Sequence, residues 1–149
     1  MKWELKKFSE LTVNQLYDII NLRETVFVVE QNCPYLDCDG IDVNCYHLFA
    51  YSENKMAAYL RIIPAEHHYQ KMVSIGRVVV HPSFRGKDLG KELFAEGKNC
   101  VKKLFGAETK ITISAQYHLE KFYTNLGFSS VGDVYDEDGI PHIKMNGTV

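Results

Sequence analysis

Apolar residues fall into two rhythms along this chain, and the switches between them mark its elements. Trp3 to Phe8 alternates as a short opening strand. Leu16, Ile19, Ile20, Arg23, Val26 and Phe27 then return at helical spacing, predicting a helix to about Val28. Its start carries a capping box, Thr12 with Gln15 three residues on. Glu30 to Asn44 breaks both rhythms and reads as a long loop with at most a short helical turn. His47–Tyr51 and Met56–Ile63 are strands joined by Ser52-Glu53-Asn54-Lys55, an antiparallel hairpin. Val73–Val80 is a β-branched strand stopped by His81-Pro82, since proline cannot continue a ladder. A helix is predicted from near Gly86 to Phe105, a strand over Lys110–Ser114, and a helix over Leu119–Leu126 that Gly127 ends. Val131–Tyr135 and His142–Met145 close as a hairpin around Glu137-Asp138-Gly139. The pattern predicts one α/β (α+β) domain over residues 1–149, with a mostly antiparallel first half.

Composition adds exclusions. There are 17 Lys and Arg against 19 Asp and Glu, so a dedicated nucleic-acid binder is not expected. No apolar run nears the roughly 20 residues of a membrane helix, and the opening Met1–Lys7 lacks the apolar core of a secretory signal. Cys33, Cys38, Cys45 and His47 are spaced too widely for a zinc knuckle; they read as ordinary cysteines and a histidine in a reducing cytoplasm, with no metal.

The chemistry concentrates at Val78-Val79-Val80-His81-Pro82-Ser83-Phe84-Arg85-Gly86-Lys87-Asp88-Leu89-Gly90. A helix starting after a strand presents unpaired N–H groups and the positive end of its dipole, an anion site. Gly86 and Gly90 admit close approach, and Arg85 and Lys87 add charge. A Walker loop is excluded, because Asp88 stands where Gly-Lys would be followed by Ser or Thr.

This turn resembles the acetyl-CoA signature of the GNAT acetyltransferases, with Arg85 and Gly90 at its ends and Asp88 in place of the middle glycine. Ser114-Ala115-Gln116 and Phe122-Tyr123-Thr124-Asn125-Leu126-Gly127-Phe128 resemble a second block of that family. Phe27–Tyr35 and Asp138–Met145 look like its ElaA-type subgroup, so the resemblance runs from about Leu22 to Met145. It implies a mixed sheet of six or seven strands whose central pair, Val73–Val80 and Lys110–Ser114, splays apart. The backbone of Val78, Val79 and Val80 would bond the pantetheine arm. Residues Arg85, Gly86, Lys87, Asp88, Leu89 and Gly90 would hold the pyrophosphate, and Gln116 and Tyr123 would line the cofactor. An acetyl group would pass from acetyl-CoA directly to a primary amine, with Tyr123 as the acid for the departing thiolate. Glu30 and His47 are the candidate bases; Arg77 and His142 are read as positioning or structural groups, and Cys33 has no partners for a nucleophilic role. The acidic set Glu30, Asp37, Asp39 and Asp42 would suit a cationic amine. The Asp88 carboxylate is expected to turn to solvent, leaving its N–H toward the phosphate and weakening cofactor binding. A CoA-binding regulatory domain without turnover is the alternative, and family habit leaves a homodimer open.

Overall fold

The computed structural model covers Met1–Val149 and sets seven strands in one sheet, ordered β1-β2-β3-β4-β5-β7-β6. The strands are β1 (Trp3–Lys7), β2 (Tyr46–Ser52), β3 (Lys55–Ile63), β4 (Val73–Val80), β5 (Lys110–Gln116), β6 (Ser129–Glu137) and β7 (Ile140–Thr148). All neighbours run antiparallel except β4 and β5. Both expected hairpins are present, and their tips, Glu53-Asn54 and Asp138-Gly139, carry the positive φ values that tight two-residue turns require.

Helix α1 (Val13–Arg23) begins at the expected capping box: Gln15 N–H donates to Thr12 Oγ1 at 3.1 Å, and Thr12 N–H to Gln15 Oε1 at 3.0 Å. It does not stay α-helical to Val28. From Glu24 to Glu30 it widens into a π-helix, where the β-branched residues Thr25, Val26, Val28 and Val29 disfavour a tight turn. Helix α2 (Leu89–Phe105) starts three residues later than the sequence predicted. Gly86 and Asp88 have φ of 83° and 58°, a left-handed backbone that no α-helix interior accommodates. Helix α3 (Glu120–Asn125) follows a 3₁₀ turn. No helix is long and apolar enough to cross a membrane.

The helices pack on two faces. Adjacent residues Tyr59 and Leu60 of β3 point to opposite sides of the sheet and belong to separate cores. Tyr59 joins Phe49, Met56 and Val79 beneath Ile19, Leu22 and Val26 of α1. Leu60 joins the larger core, with Leu93, Phe94 and Val101 of α2 and Tyr123 and Phe128 around α3. A Cβ on Gly97 would come within 2.9 Å of Leu60 Cδ2, so glycine there lets α2 approach β3 closely.

Two irregularities make the site. Strands β4 and β5 pair only at Val73–Ile111 and Ser74–Thr112, then part, so the expected splay is present. Across β3, Tyr59 faces Val79 while Arg61 faces Gly76, so Leu60 opposes both Arg77 and Val78. This is a β-bulge with Arg77 at φ 53°. Left-handed backbone at a non-glycine residue costs about 1–2 kcal/mol, so something must hold it.

Candidate active site between two parted strands

The parted strands open a cleft of about 1130 Å³. One wall is the edge of β4 from Ile75 to Val80, where backbone groups have no strand partner toward β5. The first turn of α2 stands at one end. Arg85 lies there, its Nε donating to the Val80 carbonyl at 3.2 Å and its Nη2 paired with Glu30 Oε1 at 2.9 Å. A Cβ on Gly90 would meet only Phe122 at 3.8 Å and Val80 at 3.9 Å, which is ordinary contact. The protein's own packing therefore does not require glycine, although glycine costs a helix about 1 kcal/mol. What Gly90 preserves is room in the cleft, which suits a phosphate resting on the helix terminus.

Of the predicted cofactor residues, Val78, Val79, Val80, Arg85, Gly86, Asp88, Leu89, Gly90, Gln116 and Tyr123 all line this cleft. Lys87 does not; it is exposed outside the lining, between the two left-handed residues. The Asp88 side chain turns to solvent at 77% exposure, makes no capping bond, and pairs with Lys91 at 3.1 Å. Gln116 donates to Gln31 Oε1 at 3.1 Å, tying the end of the π-helix across the gap to β5.

Tyr123 is buried, its ring set edge-on to Phe94 and Phe122. Burial pushes its phenol up to about 12, and no protein group bonds the hydroxyl. Tyr123 lines the cleft, so its hydroxyl is free to donate to whatever occupies that space.

The two predicted bases fare differently. Glu30 reaches the cleft, but its carboxylate is engaged by Arg85 at the α2 end. His47 does not reach it at all. It is 1% exposed, its Nε2–H donating to the Asp42 carbonyl at 2.9 Å while Nδ1 accepts from Tyr59 Oη at 2.8 Å. Burial lowers its pKa and keeps it neutral. His47 is a structural core histidine, not a base for this cleft.

The acidic loop is also corrected. Its aspartates do not await a cationic substrate, because three arginines already hold them. Arg23 Nε meets Asp37 Oδ2 at 2.6 Å and its Nη1 meets Asp42 Oδ1 at 2.7 Å. Arg61 bonds Asp39 and Asp42, and Arg77 Nε bonds Asp37 Oδ1 at 2.7 Å. Burial alone would raise Asp39, but the Arg61 hydrogen bond and the charges of Arg61 and Arg77 carry it down to about 2. Arg77 thus does position a charged group: Asp37, whose carboxylate and carbonyl in turn clamp the strained bulge.

Sequence reasoning missed a polar cluster on the opposite wall. Ser114 Oγ hydrogen-bonds Tyr135 Oη and lies 3.4 Å from Glu137 Oε2, and His142 Nε2 lies 3.1 Å from that same oxygen. The usable signal was alternation. Thr112, Ser114, Gln116 and then His142, Lys144, Asn146 are polar at every second position of strands that pair residue for residue. That pattern marks a sheet face with no helix over it.

Comparison with known proteins agrees with this geometry. The acetyltransferase (GNAT) domain family matches residues 37–149. Protein ElaA of Escherichia coli is 40% identical over 148 residues, spanning 97% of this chain and 95% of that protein. An acyl-CoA N-acyltransferase structure from Pseudomonas aeruginosa superposes with TM-score 0.91 at 40% identity, covering 99% of each chain. An aminoglycoside 6'-N-acetyltransferase complexed with coenzyme A shares the fold alone, with TM-score 0.71 and 17% identity over 97% of this chain and 96% of that one.

Proposed function

The chain belongs to the GNAT acetyltransferase family, whose chemistry is acyl transfer from acyl-CoA, and from that premise we propose that it moves an acetyl group from acetyl-CoA to a primary amine. One observation carries this reading: Tyr123 lines the cleft between β4 and β5 with a hydroxyl that no protein group engages. A domain that only sensed CoA would have no use for it.

In this reading the amides of Arg85 to Gly90 and the dipole of α2 take the pyrophosphate, and Arg85 exchanges Glu30 for it. The bare edge of Val78 to Val80 takes the pantetheine amides as a strand would, which brings the thioester alongside the bulge. The amine, having lost its proton, attacks the thioester carbonyl. The C–S bond breaks with its electron pair on sulfur, the second N–H proton passes to water in the cleft as the amide forms, and the thiolate is protonated from solvent as CoA leaves. Tyr123 serves as a hydrogen-bond donor to the sulfur rather than as a full proton donor. With its phenol near 12 and a thiol near about 8.5, complete transfer would run uphill by roughly 4–5 kcal/mol. A preorganised donor still stabilises the developing thiolate. The four cysteines are all free thiols, which accords with a reducing cytoplasm.

The test is release of free thiol from acetyl-CoA across an amine panel. Tyr123→Phe should lower turnover about 100-fold while acetyl-CoA binding, measured by calorimetry, stays within twofold or so. Unchanged turnover removes Tyr123 from the reaction. Binding without thiol release from any amine favours the regulatory alternative.

A further inference from the structure

Charge pairing in the cleft is nearly complete, and the groups left out of it, Lys144 with Glu137 and Asp138, stand on one wall. Five Lys and Arg residues line it. Arg61 and Arg77 are held by the loop aspartates, Arg85 by Glu30, and Lys91 by Asp88. The fifth, Lys144, is half-buried on β7 and forms no ion pair. A half-buried ammonium has lost part of its hydration, so an anion entering the cleft gains more there than in open solvent.

The complementary exception is Glu137. Both of its protein contacts, 3.1 Å to His142 Nε2 and 3.4 Å to Ser114 Oγ, fall on Oε2. Oε1 keeps its lone pairs, on a side chain that is 49% exposed. The β5–β7 register sets Ser114 directly opposite Lys144, and Ser114 also reaches Glu137. The free carboxylate oxygen and the free ammonium therefore flank Ser114 on one polar face of the cleft.

We propose that the acceptor is a small zwitterionic amine, bound with its amino group against Glu137 Oε1 and its anionic group against Lys144. This rests on the acyl-transfer reading and deepens it by naming the acceptor class. A polycation is disfavoured by the same pairing: the three aspartates that would draw it are bound to Arg23, Arg61 and Arg77. Tyr135, hydrogen-bonded to Ser114 and stacked on His142 at 6.2 Å between centroids, steadies the carboxylate end of this subsite.

The experiment uses ω-amino acids of increasing chain length, with the matching ω-amino amides and α,ω-diamines. Thiol release is followed with acetyl-CoA, and binding of each amine to the CoA-loaded protein by calorimetry. At the best length the amino acid should exceed its amide and its diamine by about tenfold or more in kcat/KM, the worth of one charge-assisted contact. Lys144→Met should bring the acid-to-amide ratio close to one, and Glu137→Gln should weaken every amine. Three results overturn the proposal: a wild-type preference for diamines, equal losses for acid and amide in Lys144→Met, or a loss of acetyl-CoA affinity in that variant. Failure of the transferase reading looks different. There, no amine releases thiol, yet amino acids still bind the CoA-loaded protein in a Lys144-dependent way. If neither binding nor turnover distinguishes the amines, the subsite itself is overturned.

Discussion

The sheet has two halves that present the same kinds of residue to opposite ends. Over β3 and β4, α1 and the loop after it cover the face, and every aspartate between Asp37 and Asp42 is bonded to an arginine. Over β5, β7 and β6 the same face is polar and lines the cleft, and Glu137 and Lys144 retain unsatisfied capacity. The first half spends its charges on holding a loop and a strained bulge in place. The second leaves Glu137 Oε1 and the Lys144 ammonium without a protein partner. A run of acidic residues thus says little about recruitment until its partners are known.

The largest test of that contrast is Arg23→Leu. The guanidinium is 1% exposed between Asp37 and Asp42, so its removal takes one of two arginine partners from each buried carboxylate and should cost about 3 kcal/mol in urea unfolding. Lys144→Gln in the polar half should change stability by less than about 0.5 kcal/mol. Similar costs for the two would dissolve the distinction.

A smaller effect appears in acid. Asp39 falls from 3.8 to about 2 in the folded chain, and Asp42 is lowered too, by its bonds to Arg23 and Arg61 against the opposing pull of burial. A depressed folded pKa means stability that is fully present above the unfolded value and lost as pH falls through the folded one. Between pH 4 and 2 the protein should therefore lose stability, of order 1–2 kcal/mol from the partly exposed Asp39. Asp39→Asn should flatten that part of the profile, and an unchanged acid limb would place the titration elsewhere.

The smallest effects belong to the border between the halves, at the phosphate turn. The Glu30–Arg85 pair is exposed at 41% and 43%, so Glu30→Gln should hardly alter folding. It should tighten acetyl-CoA by roughly two- to fivefold, with the gain shrinking as salt rises. Asp88→Gly acts in the same direction and also relieves a left-handed backbone, worth about 0.5–1 kcal/mol in stability. Weaker cofactor binding in either variant would give that carboxylate a positive role in the site.

Most of the fold, and the turn from Arg85 to Gly90 as a strand-to-helix junction, were legible in the sequence, and the reasons are local. The Thr12–Gln15 box, the period-two strands, the tips at Glu53-Asn54 and Asp138-Gly139, and the turn from Arg85 to Gly90 all involve residues within about five positions of one another. The helix to about Val28 was legible but its π-helical form was not, and the late start of α2 was missed because the left-handed backbone at Gly86 and Asp88 leaves no trace in apolar spacing. The candidate site divided in the same way. The motif led to Tyr123 and the edge of β4, which do line the cleft, whereas His47 lies outside it and the cleft-lining Glu137 and Lys144 drew no notice.

What the sequence determined by itself, then, was each element's kind, its place in the chain, and the glycine-flanked turn that leads into α2. Tertiary structure alone decided which charges are spent. Asp37 meets Arg23 from 14 residues away and Arg77 from 40, and Tyr59 claims His47 from across a hairpin. Ion pairing and burial depend on distance through space, and between strands β4 and β5 that distance is set by where the sheet stops pairing.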